Sequence, residues 1–133
     1  MGLDPFKDMK NSNCEGVWSV VFSGNNMEFF GVVILESGRL TGGDSNYTYS
    51  GYYNLKDGFF ETRMLVKKYN QVFKTIMPDK YTVTLKGEYV NNKISLHGSP
   101  DECQEMDLNA VCTKQSELIP IRKPVPKAVA SAA

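Results

Sequence analysis

Tyrosine is the residue type most densely placed for chemistry in this chain. Tyr47, Tyr49, Tyr52 and Tyr53 crowd one short segment. If that segment is extended, Tyr47, Tyr49, Gly51 and Tyr53 share a face. A phenol offers a broad apolar ring and one hydroxyl, which suits binding a small molecule. Trp18, Phe22, Met64, Tyr81, Leu85, Tyr89, Met106 and Leu108 fall on the apolar sides of other alternating segments. The predicted cavity set is therefore Trp18, Phe22, Tyr49, Tyr53, Met64, Tyr81, Leu85, Met106 and Leu108. The same side chains also suit a solid core, so packed interior and apolar ligand pocket both stay open.

Residues for bond-making are sparse. His97 is the only histidine, and alternation over 93–99 sets it beside Ser95 and away from Ile94 and Leu96, toward solvent. A general base needs an orienting carboxylate and a pocket, and neither is implied there. One histidine and the scattered Cys14, Cys103 and Cys112 give no zinc-binding spacing. Thr41-Gly42-Gly43-Asp44 is not a phosphate loop; it reads as a bend whose Asp bonds its own turn backbone. Asp101, Glu102, Glu105 and Asp107 form an acidic cluster that reads as a solvated face. The expectation is a non-enzymatic protein without metal or cofactor, with a small apolar molecule as the one candidate ligand.

The elements that must position these residues are strands. Turn residues recur at Gly24-Asn25-Asn26, Ser37-Gly38, Gly42-Gly43, Asp57-Gly58 and Asn91-Asn92, a spacing that predicts an antiparallel all-β domain. Asp57-Gly58 and Asn91-Asn92 suit primed hairpin turns. Met106, Leu108, Ala110 and Cys112 share one face of their segment, as do Tyr81, Val83, Leu85 and Tyr89, and Trp18, Val20 and Phe22. About eight strands are predicted, near 16–23, 28–36, 39–43, 46–56, 59–69, 80–90, 93–99 and 104–113. Short connections favour an up-and-down barrel, with a two-sheet sandwich as the competitor.

Two segments break this pattern. Glu28–Glu36 is apolar on both faces, which predicts a cover outside the barrel: a helix, a terminal arm or a second subunit. If the cover is a second subunit, Phe29, Val33 and Leu35 are the predicted contact face. In 70–77, Val72, Phe73, Ile76 and Met77 follow helical spacing before Pro78, so a short helix capping the barrel mouth and a long loop are both open.

Composition limits the partners. Fifteen basic residues balance fifteen acidic ones, which gives no clustered positive surface for nucleic acid. No apolar run approaches a membrane span, and the start lacks a signal-peptide stretch, so a soluble, cytoplasmic protein is expected. Three cysteines are an odd set; at opposite ends of one strand Cys103 and Cys112 would lie ~30 Å apart, too far to bridge. The expected domain plan is an arm over 1–15, a barrel over 16–113, and a basic Pro/Ala-rich tail over 114–133 that carries Lys114, Arg122, Lys123 and Lys127 against Glu117.

Two stretches resemble the GrlR-type negative regulators of type III secretion in Gram-negative bacteria. One is Gly16-Val17-Trp18-Ser19-Val20-Val21-Phe22, similar to that family's first strand. The other is Leu40-Thr41-Gly42-Gly43-Asp44 followed by Tyr49-Ser50-Gly51, with Tyr69-Asn70 a weaker match. The resemblance spans roughly 16–113. It implies a lipocalin-like barrel of eight antiparallel strands, a hydrophobic cavity, a homodimer, and a repressor role in virulence: binding and silencing a helix-turn-helix transcriptional activator. The family's acidic Glu-Asp-Glu-Asp turn is matched here by Leu55-Lys56-Asp57-Gly58, with one acid and one lysine. Lys56 and Asp57 thus mark the implied partner-binding turn. The neutral patch would steer a basic partner less, so the partner differs or the contact lies elsewhere, as at the acidic cluster near Asp101.

Overall fold

The computed structural model describes residues 14–24 and 26–120. Eight antiparallel strands run in sequence order: β1 (Gly16–Gly24), β2 (Met27–Glu36), β3 (Arg39–Asp44), β4 (Tyr47–Lys56), β5 (Phe59–Lys68), β6 (Lys80–Val90), β7 (Lys93–Pro100) and β8 (Leu108–Ser116). Each pairs with the next, and β8 pairs back onto β1 to close a barrel. Closure removes the exposed edges that an open sheet of this length would carry.

The turn chemistry explains the meander. Ser37-Gly38, Asp57-Gly58 and Asn91-Asn92 all have positive φ at both positions, the geometry that lets a two-residue loop follow the right-handed twist of its strands. These three turns lie at one end of the barrel, together with the start of β1 and the end of β8. The opposite end carries the β1–β2 and β3–β4 turns and the two long connections, 69–79 and 101–107.

Alternation decides what lies inside. Trp18, Val20, Val33, Leu35, Leu40, Tyr47, Tyr49, Tyr53, Phe60, Met64, Val66, Val83, Leu85, Ile94, Leu96, Ala110 and Cys112 form one continuous core. Aromatic rings pack against one another at the turn end. Tyr53 and Phe60 stack with ring centroids 5.4 Å apart, and Trp18 meets Tyr89 edge-on at 5.9 Å. Cys14 folds across this end and accepts the Trp18 indole N–H on its carbonyl at 2.8 Å.

Two expectations are corrected and one open alternative is decided. The predicted dimer residues Val33 and Leu35 lie inside the barrel, 3% and 1% exposed, and Phe29 is a half-buried interior residue. The outward face of β2 is Phe30, Val32 and Ile34 instead. Register fixes this: Val33 pairs with Trp18 and Leu35 with Leu40, so they share the interior side with those residues. The 70–77 segment is a loop, not a helix. The Asn70 side chain accepts the Val72 N–H and the Thr75 hydroxyl accepts the Met77 N–H, and such local bonds compete with helical ones. The last strand begins at Leu108 and runs to Ser116, so it starts later and ends beyond the predicted boundary at 113. Cys103 therefore sits in a connection, and no disulfide joins the three cysteines. Most of the predicted arm and the tail from 121 lie outside the described residues. No helix among the described residues is long and apolar enough to cross a membrane.

Candidate functional site

The end with the long connections is not filled. A cavity of about 50 Å³ opens there, lined by residues from β1, β2, β3, β4, β5, β6 and β8 and by the two connections. Its volume exceeds what one water needs and falls short of a large lipid. Six of the nine predicted cavity residues reach it: Phe22, Tyr49, Met64, Tyr81, Met106 and Leu108. Trp18, Tyr53 and Leu85 are buried deeper, in the solid part of the core. The interior thus divides, with a packed core at one end and an open apolar pocket at the other.

The walls are aromatic rings in edge-to-face contact. Phe22 meets Tyr49 at 5.1 Å, Phe29 meets Tyr47 at 6.3 Å, and Tyr47 meets Tyr81 at 6.3 Å. Phe73, from the 69–79 connection, packs on both Phe29 and Tyr47. This geometry places positive ring edges against negative faces. Met27, Met64, Met77 and Met106 supply flexible wall around them.

The 69–79 connection is tied down as a roof. The Tyr69 backbone N–H donates to the Asn46 carbonyl at 2.9 Å, and the Tyr69 hydroxyl donates to the Asp44 carbonyl at 2.6 Å. Lys68, its side chain largely buried, donates to the Phe73 carbonyl at 3.1 Å and pairs with Asp79 at 3.2 Å. The 101–107 connection is anchored by Asp101, which pairs with Arg63 at 2.6 Å and accepts the Thr82 hydroxyl at 2.8 Å. The Thr82 bond, then Arg63, holds the Asp101 carboxyl below its ordinary range. One member of the acidic cluster thus serves as a latch, while Glu102, Glu105 and Asp107 are exposed.

Asp44 is the charged group of the cavity wall. It ends β3, and one carboxylate oxygen accepts the backbone N–H groups of Asn46 and Tyr47 at 2.7 and 2.8 Å. That is the turn role expected of an Asp at this place. The second oxygen accepts the Tyr49 hydroxyl. Burial, then the bond to Asp44 and its charge, pushes the Tyr49 phenol well above its ordinary value. Tyr81 is raised by burial and then by Tyr47 and Asp44. The Tyr47 hydroxyl is buried and completes no hydrogen bond of normal geometry. Thr75 lies near enough only to offset part of the rise that burial causes in Tyr47.

Sequence reasoning missed Asp44 and Phe29 as wall residues, and it set Tyr47 on the inward face without including it in the cavity set. Pairing across the β1–β2 turn was the available signal: it sets Phe22 opposite Phe29 and so places both inside.

The remaining candidates lie elsewhere. His97 is exposed on the outer wall. Lys56 and Asp57 are exposed on a hairpin turn at the packed end, opposite the cavity. No group of three or more His, Cys, Asp or Glu that could hold a metal ion occurs among the described residues. No family model matches the chain, and no curated protein matches it in sequence.

Proposed function

We propose that this protein is a non-enzymatic negative regulator of type III secretion genes that binds and sequesters a helix-turn-helix transcriptional activator in the cytoplasm. One observation carries the reading: the residues behind the family resemblance act together as a structural unit. Thr41, Gly42 and Leu40 pair with Ser50, Tyr49 and Gly51 on adjacent rungs, and Asp44 accepts the Tyr49 hydroxyl. Adjacent rungs and a shared hydrogen bond make the matched residues one local unit, not scattered matches.

The outer wall supplies a surface for protein contact. Phe30, Val32 and Ile34 are 67%, 49% and 39% exposed, and Val111 adds to them across β1. An apolar stripe of this kind suits an activator or a second copy of the chain better than it suits water. The test is a host carrying type III secretion genes. Expression of the protein is expected to lower transcription from their promoters and to co-purify the activator; unchanged transcription with no complex would refute the proposal.

A second reading is a carrier or sensor of a small lipophilic molecule, favoured by the one-ended apolar cavity. Native mass spectrometry should then find a small compound bound in equal number with the protein. Protein that carries none, and takes up none of the small apolar probes offered to it, would exclude this reading.

A further inference from the structure

We infer that the cavity is a site for a small organic ammonium ion with a compact apolar body; this deepens the second reading. The argument begins with charge. Asp44 is on the wall, and among the described residues no Lys, Arg or His forms an ion pair with it. Three donors already approach its carboxylate: two backbone N–H groups and the Tyr49 hydroxyl. A carboxylate has about four acceptor sites, so one remains, and only a donor can use it.

The surroundings select the donor. Phe22, Phe29, Tyr47, Tyr49 and Tyr81 surround the space with rings, and ring faces attract cations. An anion would meet the Asp44 charge at short range in a poorly hydrated place. The Tyr47 hydroxyl is the second independent sign. It is buried and completes no hydrogen bond of normal geometry, with Thr75 close by, and a buried polar group left so is costly. An ammonium N–H donated to its oxygen, beside one donated to Asp44, would satisfy both. The cavity size limits the ligand to a small body, and its methionines can adapt to the body's shape.

The test compares three molecules of one shape: benzylammonium, benzyl alcohol and benzoate. Binding to the full chain is measured by calorimetry at neutral pH. Benzylammonium should bind about tenfold or more tightly than benzyl alcohol, the scale of one charge-assisted hydrogen bond, and benzoate should not bind. Asp44→Asn keeps an oxygen for the turn and should erase the preference for the cation. Tyr47→Phe removes a hydroxyl that completes no hydrogen bond of normal geometry, so the fold should hold while benzylammonium weakens. Equal binding of the amine and the alcohol, or an unchanged preference in either variant, overturns the inference but leaves an apolar cavity. Binding of none of the three overturns both the inference and the carrier reading.

Discussion

The Tyr49 hydroxyl donates to the Asp44 carboxylate across the β3–β4 hairpin, joining the turn to the cavity wall. Asp44 thereby has two tasks: it caps the Asn46 and Tyr47 N–H groups and it satisfies a buried phenol. The two halves can be separated. Tyr49→Phe should cost about 1.5–3 kcal/mol, the value of a hydrogen bond to a charged group. Asp44→Ala strips the turn of its acceptor and strands the Tyr49 hydroxyl, so about 2–4 kcal/mol is expected. Urea unfolding of both variants checks the order; Asp44→Ala milder than Tyr49→Phe would show that the turn does not depend on the carboxylate.

Strand positions were legible because each hairpin turn announces itself. Asp57-Gly58 and Asn91-Asn92 tolerate positive φ at little cost, and the structure uses them so. The face of β2 was not legible from β2 alone. With Phe29, Val33 and Leu35 on one side and Phe30, Val32 and Ile34 on the other, alternation has no phase. The phase comes from partners, Trp18 opposite Val33 and Leu40 opposite Leu35. The cavity was half legible. Tyr49 and Tyr81 follow from alternation, but the division between solid and open ends depends on where the 69–79 connection lies, and Asn70 and Thr75 turn that segment away from its helical spacing.

Gly42 and Gly51 are fixed by close approach. A Cβ on Gly42 would lie 2.1 Å from the Val32 carbonyl oxygen, and one on Gly51 would lie 2.1 Å from that of Arg63. Both contacts are with backbone, which cannot swing aside. Gly42→Ala and Gly51→Ala are each expected to destabilise the barrel by about 1–3 kcal/mol, as overpacking does. Thermal unfolding at equal concentration would check this; variants as stable as the parent would mean that the strands approach less closely than described.

The two faces of β2 should answer differently to charge. Leu35 is 1% exposed, so Leu35→Asp buries a carboxylate without a partner and should leave little folded protein. Ile34→Asp, on the outer wall, should change stability by only about 0.5 kcal/mol. If β2 makes a dimer contact through its outer stripe, Ile34→Asp and Val32→Lys should also give monomers in light scattering. A dimer that persists with both changes in place would remove the stripe as its interface.

High pH should loosen the barrel through groups that burial keeps neutral. Burial pushes the Cys112 thiol up to about 12 from an ordinary 9.0, and Tyr49, Tyr53 and Tyr81 are raised chiefly for the same reason. In each case the folded chain holds its proton more tightly than the unfolded chain. Stability from these groups is therefore complete below the unfolded values and drains away as pH rises. For Cys112 alone the loss runs from about pH 9 to about 12 and reaches ~4 kcal/mol at most. Denaturant midpoints should hold level from pH 7 to 8.5 and fall steeply above 9, and Cys112→Ala should flatten part of that fall. The same burial predicts the order of alkylation at pH 8. Cys103, half-buried in a connection, should react first, and Cys112 only as the barrel opens. Prompt modification of Cys112 in the folded protein would show that the interior near β8 is open to solvent.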